Sequence, residues 1–327
     1  MYLLSLSRMI SSQIESGTYT SVVHLKSVVV VSVTFSRHFP AKAIWFPHAS
    51  RLHSTLMCKS DLSSSSKMLR WTPEETEKLL QMRAGLRKEL SSRRQLPDVV
   101  GDRRLLRFLR GHGLNVEKAT KMFAKFLQWR DEFDVDSIRD HILYSKMKSP
   151  NEFPCGRKIL KHVPQVMLSH EALDIFGNPI ALEHFSFVPE LVLQEITKKE
   201  YITFMIYTLE YKILLLEQMA DEREKKYLSQ SSFDRNVPYG VIVSSRVIRD
   251  LEGFGLGHIG TDGQTVIKWI LEIAVDNYPE LLYRCHMVNV PWIFNSIWFF
   301  MKGLMDSNTV KKVTITGTDF YKGNNLH

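Results

Sequence analysis

The sequence predicts an α/β protein in which a small N-terminal helical bundle is followed by a mainly parallel β-sheet flanked by helices. Two observations predict this class. Helix signals follow one another over residues 68–150 without a strand pattern between them. After Pro154, short β-branched or apolar strands alternate with helical segments, which is the order of βαβ units. The 327 residues, 44% hydrophobic and 24% charged, suffice for one such protein.

The first helix of the bundle is predicted from its capping residues. Thr72 can act as the N-cap, Pro73 suits the first helical position, and Glu75 completes a capping box. We expect this helix to run to about Leu90.

Two more helices follow in the bundle. Asp102–Arg110 carries an apolar stripe beside a basic stripe of arginines, and Asn115 caps a helix over Val116–Phe133. We expect the basic stripe to be a solvated face with local ion pairs, because that is the common role of charges at helical spacing. The basic stripe consists of Arg103, Arg107 and Arg110.

The second part, residues 151–327, is predicted as alternating strands and helices. The predicted segments are a strand over Ile180–Phe187, a helix over Glu195–Ala220, a loop over Asp221–Pro238, a strand over Val241–Ile248, a helix over Thr265–Tyr278, a strand over Cys285–Val290, a helix over Pro291–Met305 and a strand over Lys312–Gly317. Such an order predicts a mainly parallel sheet.

Residues 1–67 differ from the rest in composition. Seven basic and two acidic side chains give this segment +5 of the total formal charge of +8, so the body of the protein is not broadly polyanion-binding. The segment is rich in serine, which is typical of an organellar transit peptide. The alternatives are a disordered leader, or a true start at Met57 or Met68. The apolar run Val28–Val31 is too short to span a bilayer.

Enzyme signals are weak. Three scattered cysteines form no CxxC pair, which favours a reducing compartment and indicates no zinc site. Gly255-Leu-Gly257-His-Ile-Gly260 has the glycine spacing of a dinucleotide-binding turn. However, residues separate it from the preceding strand, Gly263 is expected to delay the next helix, and Glu280 comes before the next strand rather than at its end. We therefore expect no catalytic residues, no cofactor and no metal.

The arginine stripe lacks the interleaved aromatic residues of nucleic-acid binders, so we expect no nucleic-acid partner.

The segment Pro291–Met305 is apolar in nearly every direction around a helix. Such a helix is either fully buried or faces lipid. It is too short to span a membrane. A third interpretation places one face on an apolar cavity and the other on a membrane surface.

Several motifs in order resemble the CRAL-TRIO lipid-transfer family. The motifs are Asp102-x-x-Leu-Leu-Arg-Phe-Leu-Arg110 with Asn115-Val-Glu-Lys-Ala119 and Trp129-Arg130, then Asp174-x-x-Gly177-x-Pro179, Asp250-Leu-x-Gly253, Asn277-Tyr-Pro-Glu280, Asn289-Val-Pro291 and Val310–Gly317. The resemblance implies a helical N-terminal region over 68–150 and a lipid-binding domain over 151–327, with the helices and sheet enclosing a hydrophobic lipid cavity. The family usually continues beyond the position of His327.

The resemblance also implies roles for single residues. The helix after Asn289-Val-Pro291 corresponds to the gate over the cavity, with the gate and cavity residues Trp292, Phe294, Ile297, Trp298, Phe300 and Met301. Glu280 and Lys312 stand at the family's inositol-headgroup positions. The family's basic pair after the arginine run is here His112 and Gly113. Ser245 matches one of two hydroxyls that contact phosphatidylcholine, whereas Val247 replaces the other.

The function expected from this resemblance is that of a non-enzymatic carrier. We expect a monomer that binds one phospholipid, with phosphatidylinositol first, and works in the cytoplasm in transient contact with membranes. One alternative is a carrier of a retinoid- or tocopherol-like ligand. The others are a dinucleotide-dependent enzyme and an interaction module without a ligand.

Overall fold

A computed structural model describes residues 18–25, 28–36, 71–174, 176–185, 187–228, 241–305 and 307–317. Within the first 67 residues it describes an antiparallel hairpin, β1 (Thr18–Leu25) with β2 (Val28–Ser36), which the sequence did not predict. The remaining residues of that segment, on which the targeting prediction rests, lie outside the described part.

Residues 71–144 form the predicted helical bundle. Its helices are α1 (Pro73–Gly85), α2 (Arg87–Ser91), α3 (Pro97–Val100), α4 (Asp102–Gly111), α5 (Val116–Glu132) and α6 (Val135–Tyr144). The capping box of α1 is present, since the Thr72 hydroxyl accepts from the Glu75 amide at 3.1 Å and the Glu75 carboxylate accepts from the Thr72 amide at 2.9 Å. Asn115 caps α5 as predicted.

The bundle has its own apolar core between α1, α4 and α5. Phe108 of α4 meets Phe123 of α5 edge to face, with ring centroids 5.0 Å apart. Leu79 and Met82 of α1 are buried beside them. The apolar stripes read from the sequence therefore face one another, as expected for helices stabilised by packing rather than by propensity.

The second part alternates strands and helices. Its elements are α7 (Gly156–Leu160), β3 (Gln165–Leu173), β4 (Pro179–His184), α8 (Pro189–Glu195), α9 (Lys198–Leu228), β5 (Ser245–Asp250), α10 (Thr261–Asn277), β6 (Leu282–Val290), α11 (Phe294–Leu304), α12 (Ser307–Lys311) and β7 (Val313–Gly317). Short 3₁₀ turns occupy Pro150–Glu152 and Leu256–Ile259.

Among the described residues the sheet has the order β3-β4-β5-β6-β7. The β3–β4 pair is antiparallel and every later pair is parallel. Ala181, Val247 and Cys285 stand side by side on the three central strands, and all three are buried. The prediction of a mainly parallel sheet flanked by helices is confirmed, although β3 was not predicted.

The prediction for the longest helix was partly wrong. The helix predicted over Glu195–Ala220 does not begin at Glu195. That residue ends α8, and α9 begins at Lys198. Helix α9 continues to Leu228, so residues 221–228 are helical rather than part of a loop, and 229–238 lie outside the described residues. The strand predicted from Val241 begins only at Ser245.

The prediction of a solvated basic stripe on α4 was wrong for Arg103 and Arg107, whereas Arg110 stays partly exposed and pairs with Glu75. Arg107 is fully buried, and its neighbour Arg104 is buried against the rings of Phe126 and Tyr278. Arg103 is largely buried too, because it forms ion pairs with a row of carboxylates on α9. That row is Glu217, Asp221 and Glu224, at 2.9, 2.7 and 2.7 Å. The arginines thus join the bundle to the second part.

Candidate functional site

The turn between α10 and β6 positions Glu280. Its backbone is left-handed, with φ of 59°, which a non-glycine residue rarely adopts. The end of α4 lies against this turn, because a Cβ added at Gly111 would lie 2.8 Å from the Pro279 Cβ. Glycine at 111 therefore permits the close approach of the bundle to the turn.

Two side chains hold the Glu280 backbone in place. Arg107 donates a hydrogen bond from Nη1 to the Glu280 carbonyl at 2.8 Å, and Ser244 donates from Oγ to the same carbonyl at 2.8 Å. Arg107 also donates from Nη2 to the Val243 carbonyl at 2.7 Å. Burial, the largest effect, lowers the pKa of Arg107 to about 10, so the guanidinium stays charged at neutral pH. The sequence indicated neither of these supporting roles.

The carboxylate of Glu280 meets Lys312. Lys312 Nζ lies 2.7 Å from Glu280 Oε1, and the two side chains keep 20% and 22% of their surface exposed. Lys312 stands directly before β7 and Glu280 shortly before β6, so both lie at the amino ends of neighbouring parallel strands. The structure therefore brings together the two residues that the sequence singled out for a headgroup. This partly exposed pair offers both a donor and an acceptor to a polar ligand.

The two other headgroup candidates have partners of their own. His112 ends α4, where its Nδ1 lies 2.8 Å from the Phe108 carbonyl and its ring stacks on Phe108. Ser245 is fully buried, and its hydroxyl donates to the Leu281 carbonyl at 3.2 Å. Each of these two candidates therefore has a protein partner, as Glu280 and Lys312 have in each other.

The start of the apolar helix α11 is fixed by two separate sequence motifs. Asn289 has a left-handed backbone, with φ of 54°. Its side-chain amide donates a hydrogen bond from Nδ2 to Asp250 Oδ1 at 2.9 Å. Asp250 ends β5 and Asn289 lies near the end of β6. The contact joins the Asp-Leu-x-Gly and Asn-Val-Pro motifs. Helix α11 then begins at Phe294 rather than at Pro291.

One face of α11 is inserted into the core. Phe294, Ile297 and Met301 are each at most 2% exposed, at the i, i+3, i+7 spacing of one helix face. Phe294 meets Phe254 edge to face, with centroids 5.3 Å apart. Trp298 is partly buried and stacks on Phe294. These contacts hold the helix against the domain.

The opposite face of α11 carries exposed aromatic side chains. Phe299 is 81% exposed, and Trp292, just before the helix, is 84% exposed. Phe300 is partly buried. Full burial, the ordinary interpretation of an apolar helix, is therefore excluded. Lys302 adds a positive charge at this face, with its ammonium 5.8 Å from the centre of the Trp298 ring.

Neighbouring elements extend this apolar surface. Leu256, in the loop packed next to α11, is 71% exposed, and Leu191 of α8 is 43% exposed. The loop and α8 are in contact, since a Cβ at Gly257 would lie 3.9 Å from the Pro189 side chain. We call Trp292, Phe299, Leu256 and Leu191 the apolar surface. Among the described helices none is both long and apolar enough to cross a bilayer.

The glycine-rich turn is built around its own histidine. Its 3₁₀ segment places His258 between Phe187 and Phe254, with ring centroids 5.0 and 4.3 Å away. Helix α10 begins at Thr261, so the expectation that Gly263 delays this helix was wrong. A Cβ at Gly263 would lie 2.2 Å from the His258 carbonyl oxygen, so glycine is needed there for close packing. The residues between β5 and α10 thus form a packed loop, unlike the tight strand-to-helix turn of a dinucleotide site.

Comparison with known proteins agrees with this geometry. The family model described as CRAL/TRIO domain matches residues 187–325. The Sec14 cytosolic factor of Schizosaccharomyces pombe is 30% identical over 67% of this chain and 68% of its own length. The chain belongs to the CRAL/TRIO family.

Other relatives are less similar in sequence or longer. The phosphatidylinositol/phosphatidylcholine transfer proteins SFH12 and SFH7 of Arabidopsis thaliana are 24% and 26% identical over 66% of this chain. The chain spans only 35% of the length of each. The crystal structure of Sfh5 is similar with a TM-score of 0.50 at 15% identity, covering 75% of this chain and 80% of that one, which supports the fold. The matched CRAL/TRIO region contains Glu280, Lys312 and α11.

Proposed function

We propose that this protein binds a single phospholipid, with phosphatidylinositol as the first candidate, in an apolar cavity and transfers or presents it at membranes. The observation that carries the proposal is the two-sided helix α11, buried through Phe294, Ile297 and Met301 and exposed through Phe299. The names of the relatives, which include phosphatidylinositol/phosphatidylcholine transfer proteins, support the same class of ligand.

A physical argument connects the helix to transfer. Burying a methylene group is worth about 0.8 kcal/mol, so an acyl chain leaves a bilayer for water very slowly. Movement from a bilayer to an apolar cavity is nearly neutral, because both environments are apolar. The carrier must therefore open while it touches the membrane. The exposed side chains of Trp292 and Phe299 suit this contact, since aromatic side chains are favourable at the membrane interface.

Selectivity in such a carrier comes from polar contacts. The apolar tails of different phospholipids are alike, whereas an unmatched buried polar group costs about 1–3 kcal/mol. The Glu280–Lys312 pair is partly exposed and can exchange its internal contact for contacts with the hydroxyl and phosphate groups of an inositol headgroup. We propose these two residues as the headgroup site. Their role stays a prediction, as do those of His112 and Ser245.

The same proposal covers the mode of action. We propose a monomeric, non-enzymatic carrier that works in the cytoplasm, touches membranes transiently through the apolar surface and does not bind nucleic acid. Lys302 on this surface would favour anionic lipid membranes.

Lipid analysis tests the proposal directly. The full chain is purified without detergent and its bound lipids are extracted and identified by mass spectrometry. We expect about one phospholipid per folded chain, enriched in phosphatidylinositol. A bound retinoid- or tocopherol-like ligand instead would support the second kind of carrier. A folded protein that holds no lipid and acquires none from vesicles would contradict the proposal.

A further inference from the structure

An ion pair lies on the central strands of the sheet, far from Glu280 and Lys312. Arg249 of β5 and Glu183 of β4 are direct neighbours in the parallel register, and Arg249 Nε donates to Glu183 Oε2 at 2.8 Å. The guanidinium also covers the Phe185 ring, with its carbon 5.1 Å from the ring centre. Each charge of this pair therefore already has one partner.

A third charge approaches this pair from helix α9. Lys212 interacts electrostatically with both Glu183 and Arg249. Its ammonium makes no hydrogen bond or ion pair with any residue in the described part of the chain. Burial, the largest effect, lowers the pKa of Lys212, and the nearby Arg249 charge acts in the same direction. The pair does not neutralise Lys212, because Arg249 already cancels Glu183.

Accessible space remains around these charges. The side chains of Arg249 and Glu183 keep 17% and 19% of their surface exposed, and Lys212 is half-buried. Their neighbours on the same strands, Ala181 and Val247, are 4% and 5% exposed. These charged side chains thus keep surface that a ligand can contact, although their apolar neighbours on the same strands are buried.

This space lies at the opposite end of the sheet from the headgroup candidates. Glu280 and Lys312 precede the amino ends of β6 and β7, whereas Arg249 lies near the carboxyl end of β5. Ser245 and Arg249 share one side of β5 and are about 13 Å apart, at about 3.3 Å per residue. The two polar places can therefore be tested independently.

We propose that Lys212 and Arg249 form a binding site for the anionic group, carboxylate or phosphate, of an amphiphile held on the α9 side of the sheet. The inference rests on the proposed function, because it needs an amphiphile inside the domain. Three formal charges leave an excess of one positive charge there, and a buried charge without a partner is costly. An anionic oxygen supplies the partner that Lys212 lacks, and Arg249 keeps free N–H donors for a second bond. The same excess of positive charge disfavours the binding of a quaternary ammonium headgroup.

Matched ligand pairs test this site. The delipidated full chain is loaded with the neutral fluorophore diphenylhexatriene, and displacement is measured with oleate against oleyl alcohol, and with dioleoyl phosphatidic acid against dioleoylglycerol. Within each pair the chains are the same and only the charge differs. We expect the anionic member to bind at least about tenfold more tightly in one pair or both. Preference for oleate identifies a carboxylate ligand, and preference for phosphatidic acid identifies a phosphate.

Variants assign the preference to Lys212. Lys212→Met should reduce the preference to within about twofold, without weakening the neutral ligands, while Lys212→Arg should retain it. Lys225→Met, exposed on the same helix, should leave it unchanged. Lys212→Gln is a second neutral variant if Lys212→Met does not fold.

The outcomes separate this inference from the proposed function. A wild-type preference that persists in a folded Lys212→Met or Lys212→Gln protein overturns the inference. Equal displacement by the charged and neutral members in the wild type overturns it as well, while lipid binding as such stands. If no amphiphile displaces the fluorophore and no lipid is found after extraction, the proposed function fails together with it.

Discussion

Arg130 and Glu210 form a fully buried ion pair between the bundle and helix α9, with Arg130 Nη1 2.8 Å from Glu210 Oε1. Tyr278, next to the Glu280 turn, donates its hydroxyl to the same carboxylate at 2.7 Å. Burial opposes the charge on Arg130, but Glu210, together with Tyr278 and Asp136, outweighs burial and raises the pKa of the guanidinium. One carboxylate thus ties together the bundle, the long helix and the turn that carries Glu280.

Glu210→Gln should strongly destabilise the protein. The substitution removes the fully buried counter-charge of Arg130 and leaves only the partly exposed Asp136, whose Oδ1 lies 2.6 Å from Arg130 Nε. Breaking a buried ion pair costs about 3–5 kcal/mol in other proteins. Urea unfolding followed by circular dichroism gives the free energy of unfolding. Asp131→Asn is the matched control, because it breaks the Arg93–Asp131 pair, in which Asp131 is 66% exposed. Equal losses of unfolding free energy in the two variants would show that burial does not determine how much these ion pairs stabilise the fold.

Phe299→Asp should slow lipid transfer between vesicles without weakening lipid binding. Phe299 is 81% exposed and does not belong to the buried face of α11. Loss of its ring therefore affects membrane contact rather than packing. We expect a rate at least about tenfold lower, because a charge replaces an aromatic ring at the membrane interface. Transfer is measured with a fluorescent phospholipid between donor and acceptor vesicles.

Tyr144→Asp is the control for the Phe299 variant. Tyr144 is 86% exposed but lies at the end of α6, away from α11. The control should transfer lipid at the wild-type rate. Trp298 and Phe300, two of the expected gate residues, are partly buried, so their substitution would mix packing with membrane contact. Wild-type transfer by Phe299→Asp would remove α11 from the proposed mechanism.

Lys312→Ala should weaken phosphatidylinositol binding selectively. Lys312 is the donor of the Glu280–Lys312 pair, and its removal leaves the Glu280 carboxylate to repel a phosphate. We expect about a tenfold loss for phosphatidylinositol and little change for phosphatidylcholine. Lys311→Ala is the control, since the Lys311 side chain is exposed, while its backbone carbonyl accepts a hydrogen bond from Arg284. A parallel loss for both lipids would indicate a damaged fold instead.

Local signals explain the parts of the fold that the sequence predicted correctly. The Thr72–Glu75 capping box and the Asn115 cap act within one helical turn, so their residues are visible in a short stretch of sequence. The pattern of strands and helices likewise predicted the parallel sheet. The Glu280–Lys312 contact was indicated only by the resemblance, because 32 positions separate the two residues.

The errors arise where tertiary contacts outweigh local composition. Residues 221–228 are polar, which is typical of a loop, yet they continue α9 because their carboxylates meet Arg103 of the bundle. Arg107 has the spacing of a surface residue, but its acceptors are the carbonyls of Val243 and Glu280, more than 130 positions away. Nothing in the sequence near these residues reports such partners. The same holds for Lys212 and Arg249.

His258 should make the fold less stable as the pH falls below about 6.5. Burial lowers the pKa of His258 below its ordinary value of 6.5, because the ring lies between Phe187 and Phe254. Between the lowered pKa of the folded state and 6.5, the unfolded chain binds a proton that the folded protein does not. The free energy of unfolding therefore decreases with falling pH, by at most about 1.4 kcal/mol per pH unit for this group.

Urea unfolding at intervals from pH 7.5 to 5 measures this slope, and His258→Asn isolates the contribution of His258. The Asn carbonyl can accept the hydrogen bond that the Gly255 amide donates to His258 Nδ1 at 3.1 Å, but it does not titrate. We expect a smaller slope in the variant, whatever its absolute stability. Some slope should remain, because burial and Arg246 also lower the pKa of His286. An unchanged slope would contradict the prediction. It would mean that His258 takes up its proton equally well in the folded and unfolded chains, despite its packing between two phenylalanine rings.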